Sequence, residues 1–150
     1  MTLGCANVSG SFLKAMRKPG ERLTTFPDAV WKQYDCDKQK RPFVAVEKNE
    51  LRPREIKPGG TFNHRMVYVM CPHRSTQVVR GLLRTRVRFK GSPIVRQADD
   101  GYELKPGRWT VDSFIRLPEM AEPGIYAYEI EFESPKVRFE KSLIFVVRAP

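Results

Sequence analysis

The densest group of potential ligands in this 150-residue chain is His64, Met66, Met70, Cys71 and His73. Imidazole, thioether and thiolate are the donors that suit copper. On an extended strand, however, alternate side chains point to opposite faces. His64, Met66 and Met70 then share one face and Cys71 turns away from them. The expectation is core methionines beside a cysteine, with no metal. Zinc fares no better, because there is no CxxC pair and His64 and His73 are the only histidines. Those two are also the only imidazoles able to activate a nucleophile, and no GxSxG occurs. Cys71 and His73 flank a proline at a strand end, which does not bring thiolate and imidazole together. Glu129 and Glu131 form a carboxylate pair on an outer face without a pocket. Gly59-Gly60 lacks the lysine and helix of a phosphate loop. Asp99-Asp100-Gly101 reads as a turn and not as a calcium loop. The chain is expected to be no enzyme, with no catalytic residue, metal or cofactor.

The remaining chemistry is electrostatic. Arg84, Arg86, Arg88 and Lys90 alternate along one segment, with Arg74 and Arg80 just before it. The chain carries 27 Lys+Arg against 17 Asp+Glu, a net charge of +10 spread along its length. Such a charge favours polyanions: nucleic acid, anionic lipid headgroups or acidic glycans. The interleaved Thr85, Val87 and Phe89 face the other way and offer bases no stacking platform, which weighs against nucleic acid. An internal partner also exists, since Glu129, Glu131 and Glu133 alternate along residues 125–133. If the two segments are neighbouring strands, their columns neutralise each other at about 0.2–1 kcal/mol per pair. If they are not, Arg74, Arg80, Arg84, Arg86 and Arg88 form a binding face for nucleic acid or anionic glycan. Both readings stand at this point.

The length suits one domain with one core, and no apolar run nears the roughly 20 residues of a membrane-spanning helix. Residues 1–30 lack a sustained period and contain Ser9-Gly10-Ser11, Pro19-Gly20 and Pro27. They read as an irregular tether, with Phe26 and Trp31 packing at its end, and residues 31–150 as the domain. From about residue 42, turn residues recur at Pro58-Gly59-Gly60, Gly91-Ser92-Pro93, Asp99-Asp100-Gly101, Pro106-Gly107, Pro123-Gly124 and Ser134-Pro135. Between them the pattern alternates with period two. Strands are expected at 43–47, 61–71, 82–90, 93–97 (short and weak), 108–117, 125–133 and 137–147. In the last, Lys141 interrupts the apolar face, and a bulge there would restore the register. Seven closely spaced strands without long helices imply an antiparallel sandwich.

Leu117-Pro118, a short loop and then Pro123-Gly124-Ile125-Tyr126 resemble the corner between strands E and F of immunoglobulin-like and fibronectin-III-like domains. The resemblance implies that the Tyr126 hydroxyl ties that corner to the backbone. The inter-sheet disulfide and tryptophan of antibody domains are not matched. The expected fold is all-β: an immunoglobulin-like antiparallel β-sandwich of about seven strands behind an irregular tether.

The start, Met1-Thr2-Leu3-Gly4-Cys5, resembles the end of a bacterial lipoprotein signal, although Thr2 stands where that family has leucine. The resemblance implies that Cys5 is acylated and that the protein is anchored in the periplasm by lipid alone. Cys36 and Cys71 are then left as a pair, which an oxidising periplasm allows to form a disulfide. The other reading is three free thiols in a cytoplasmic protein. The function expected is a non-catalytic binding or scaffolding module of the cell envelope. Its partner is another protein of the envelope or of a secretion assembly; the alternative is the polyanion-binding module.

Overall fold

The computed structural model describes residues 20–150, so Cys5 lies outside the described residues. Among these the chain forms β1 (Glu21–Thr25), α1 (Pro27–Gln33), a 3-10 turn (Cys36–Lys38), β2 (Phe43–Arg52), β3 (Glu55–Ile56), β4 (Thr61–Cys71), β5 (Val79–Phe89), β6 (Ser92–Leu104), β7 (Gly107–Arg116), β8 (Gly124–Glu133) and β9 (Arg138–Val147). Two sheets result, ordered β1-β7-β4-β2 and β3-β9-β8-β5-β6. Pairing is antiparallel except between β3 and β9. The hairpins β5–β6 and β8–β9 stay within one sheet. The chain changes sheets on either side of β3, between β4 and β5, between β6 and β7, and between β7 and β8. This is the Greek-key order of an immunoglobulin-like sandwich.

Alternation builds the core. Phe62, His64, Met66, Tyr68 and Met70 of β4 face Tyr126, Tyr128, Ile130 and Phe132 of β8 across the interior, all buried. Burying side chains of this size contributes about 1.5–3 kcal/mol each. Ring contacts tie the layers together: Phe62 lies 4.8 Å from Phe145 and 5.8 Å from Tyr128 between centroids. Two buried hydroxyls find backbone partners, as burial favours. Tyr68 Oη accepts the Lys105 N–H at 3.0 Å. Tyr126 Oη donates to the Glu122 carbonyl at 2.6 Å, fastening the β7–β8 connection at the residue the corner pattern singled out.

Three expectations need correction. First, the tether does not extend to residue 30. β1 pairs with β7 from Glu21 onward, and α1 seats Val30 against Cys36, Val69 and Cys71 on the outside of the four-stranded sheet. A seven-residue helix is too short to persist alone; packing holds it, and Pro27 starts it at the position where proline's missing N–H costs nothing. Second, the weak strand at 93–97 is the start of a 13-residue β6. Asp99 and Asp100 lie within this strand, so they form no turn. The reversal occurs one hairpin earlier, at Lys90 (φ 50°) and Gly91 (φ 79°), the left-handed pair whose twist suits a two-residue hairpin. Third, no bulge follows Lys141. The β8–β9 register is unbroken and sets Lys141 opposite Ile130. β3 covers β9 only at Val146 and Val147, so the rest of β9 is a sheet edge from which a long side chain escapes to water.

Cys36 and Cys71 form a disulfide, with Cα atoms 5.8 Å apart and a sequence separation of 35. It pins the 3-10 turn to the end of β4.

Two changes test this arrangement. Replacing Cys36 and Cys71 together by Ala is expected to lower the unfolding free energy by about 4 kcal/mol through restored loop freedom in the unfolded chain, read as a lower urea midpoint. A Cβ added at Gly81 would stand 2.5 Å from the Glu133 carbonyl oxygen and 2.6 Å from the Phe132 ring. Gly81→Ala is therefore expected to cost about 1–3 kcal/mol; an unchanged midpoint would show that β5 and β8 do not approach this closely.

Candidate functional site

The outer face of the five-stranded sheet carries the charges singled out in the sequence. β5 pairs with β8 so that Arg84 stands opposite Glu131 and Arg86 opposite Glu129. The side chains meet both across and along the diagonal. Arg84 Nη1 lies 3.4 Å from Glu131 and 3.8 Å from Glu133. Arg86 lies 3.7 Å from Glu129 and 3.8 Å from Glu131. Arg88 Nε donates to Glu129. Arg80 reaches Glu103 of β6 at 2.5 Å. Four of the five arginines proposed for a polyanion face are thus ion-paired. The fifth, Arg74, stands exposed in the loop between β4 and β5 and joins none of them. Partly solvated pairs of this kind contribute up to about 1 kcal/mol each; their larger effect is to cancel charge.

The cancellation stops at β6. Arg96 faces Arg86 directly across the β5–β6 pairing, and among the described residues it has no ion pair. Arg84, Arg86, Arg96, Thr85, Gln97 and Ala98 line an open cleft of about 490 Å³. Sequence reasoning missed Arg96 because Pro93 made its segment look like a weak strand. The alternation Ile94, Arg96, Ala98, Asp100 was the available signal.

The other end of this face is aliphatic. Ile125 pairs with Val146 and Ala127 with Ile144, so the four outward side chains form one block. Ile125 is 68% and Ile144 64% exposed.

The outer face of the four-stranded sheet is occupied by a latch that the sequence did not reveal. Arg108 grips Glu47 through two hydrogen bonds of 2.6 and 2.9 Å. It also donates to Thr25 Oγ1 at 2.8 Å and Gln33 Oε1 at 2.5 Å, while Tyr34 Oη donates to Glu47 at 2.5 Å. Beside it, Arg65 donates from Nε and Nη2 to the two carboxylate oxygens of Asp112, at 2.8 and 3.0 Å. The Arg108 contacts hold α1 and β1 to the sheet, and the Arg65–Asp112 pair ties β4 to β7. Hydrogen bonds from Arg108 keep the Glu47 carboxyl below the usual carboxylate range, and those from Arg65 do the same for Asp112, each against some desolvation.

The candidate ligands do not converge. His64 is buried, pairs its Nε2 with Asn49 Oδ1 and lies 4.7 Å from the Tyr128 ring, whereas His73 is exposed in a loop. Cys71 is held in the disulfide. Among the described residues no group of three or more His, Cys, Asp or Glu is placed to hold a metal ion.

No protein-family model matches the sequence, and no curated protein matches it. Several solved structures resemble the chain at low identity. The alkylpurine DNA glycosylase AlkC of Pseudomonas fluorescens, bound to DNA containing an abasic-site analogue, is 14% identical with a TM-score of 0.51, over 71% of this chain and 30% of that one. A family 123 glycoside hydrolase of Clostridium perfringens is 16% identical with a TM-score of 0.46, over 64% and 22%. The sporulation control protein of Bacillus subtilis is 16% identical with a TM-score of 0.46, over 71% and 49%. The chain thus spans less than a third of the glycosylase, and the likeness is one of fold.

The latch makes a prediction about acid. Glu47 and Asp112 bind protons less readily folded than unfolded, where carboxyls titrate near pH 4. Their stabilisation is therefore complete above that value and is lost as pH falls through the lower folded values. The urea midpoint is expected to fall as pH drops from about 5 to 2, and less steeply in Glu47→Gln. An identical acid slope in that variant would remove the latch from the account of stability.

Proposed function

We propose that the chain is a non-catalytic binding or scaffolding module of the bacterial cell envelope, anchored by lipid at Cys5, that docks another protein on its five-stranded sheet. The observation that carries this reading is the aliphatic block of Ile125, Ala127, Ile144 and Val146. Isolated apolar side chains on a surface need no explanation, but a contiguous group on an open sheet face is what a docking partner covers. The Cys36–Cys71 disulfide supports an oxidising compartment.

The polyanion reading draws less support. Glu129, Glu131 and Glu133 balance the charge of Arg84, Arg86 and Arg88, which leaves no continuous cationic track along β5 among the described residues for a phosphate backbone to follow. The DNA held by the glycosylase of similar fold is a property of that protein.

Two experiments in the native host test the proposal, with the protein made from its own gene. A photo-crosslinking amino acid at position 144 is expected to give an adduct of defined mass, and the same group at position 57 none. No adduct at 144, or the same adducts at both positions, would contradict docking on this face. Cys5→Ser is expected to move the protein from the membrane fraction to the soluble fraction; unchanged fractionation would refute the lipid anchor.

A further inference from the structure

We propose that Arg86 and Arg96 form a binding site for a compact tetrahedral oxyanion, a phosphate or sulfate group carried by a small ligand. The two stand directly opposite on paired strands, where like charges destabilise a sheet. An anion between them reverses the sign of that interaction. The Arg96 donors are uncommitted, and Arg86 holds its two carboxylate partners only through ion pairs longer than a hydrogen bond. Each guanidinium carries five N–H groups in a planar fork. Among the described residues, neither the Arg86 nor the Arg96 side chain makes a hydrogen bond, in contrast to those of Arg84 and Arg88, which donate to Glu131 and Glu129. The nearest carboxylate oxygens to Arg86 lie 3.7 and 3.8 Å away. Arg96 is two strands from β8, roughly 9–10 Å at the usual strand spacing, and among the described residues it pairs with none of those carboxylates.

The surroundings define the ligand. Arg84, Arg86 and Arg96 line the cleft of about 490 Å³, and Ala98, also in its lining, carries no long side chain. A tetrahedral oxyanion has enough oxygens to accept from two forks at once. Glu129, Glu131 and Glu133 run alongside and repel an extended polyanion, so the site selects a ligand whose charge is concentrated in one group. This surface is separate from the aliphatic block, and either assignment can fail without the other.

The test is a titration of the isotopically labelled full chain with inorganic phosphate, and separately inorganic sulfate, followed by NMR at low ionic strength. Saturable shifts are expected at the side-chain Nε–H groups of Arg86 and Arg96 for at least one of the two anions. Arg96→Gln is expected to weaken binding about tenfold, the loss of one hydrogen-bonded charge. Glu129→Gln removes a competing carboxylate and is expected to tighten binding severalfold, a gain that a damaged fold would not give. Lys57→Gln is expected to change nothing. Linear shifts spread over all surface cations, or saturable binding that survives Arg96→Gln, would overturn the proposal.

Discussion

The structure depends on the register between β5 and β8. It sets Leu83 opposite Phe132, Thr85 opposite Ile130, Val87 opposite Tyr128 and Phe89 opposite Tyr126 on the inside, with the arginines and glutamates outside. A slip of one residue would turn every one of these side chains to the wrong face. The inner row dominates the energy, since each large apolar side chain contributes about 1.5–3 kcal/mol on burial against about 1 kcal/mol at most for a solvated ion pair. The interior therefore fixes the register. The ion pairs then decide what the outer face presents to a partner.

That face has three parts, each following from a neighbour of the central pair. Over β5 and β8 the charges cancel. Toward β6 they do not, because Arg96 meets Arg86 and no carboxylate of β8 reaches it. Toward β9 the outward positions are aliphatic at Ile125, Ala127, Ile144 and Val146. A strongly basic chain thus presents a neutral centre, a cationic edge and an apolar corner. The even distribution of charge along the sequence concealed this division.

Much of this was legible in the sequence because it repeats with period two. The strands of the core and the opposed Arg and Glu columns came from local pattern, and the role of Tyr126 from the resemblance of its segment to an immunoglobulin-like corner. The adjacency of the columns was conditional on strand order, which alternation does not encode. β1 was lost because five residues ending just before Pro27 are too few to display a period. The latch was lost because Arg108 and Glu47 lie 61 residues apart, and nothing local marks either as the other's partner. The length of β6 was hidden by Asp99-Asp100-Gly101, whose turn chemistry was overridden by pairing with β5. Lys141 was misread as requiring a bulge because sequence does not reveal which stretch of a strand lies at an edge.

A charge-reversal cycle on the central pair tests the register most directly. Arg84→Glu and Glu131→Arg, made singly and together, are compared by urea unfolding. Each single reversal is expected to cost roughly 1 kcal/mol, by setting like charges opposite, and the double reversal is expected to recover more than half of the combined loss. Costs that simply add in the double variant would mean that the two side chains do not face each other, and the β5–β8 pairing described here would be wrong.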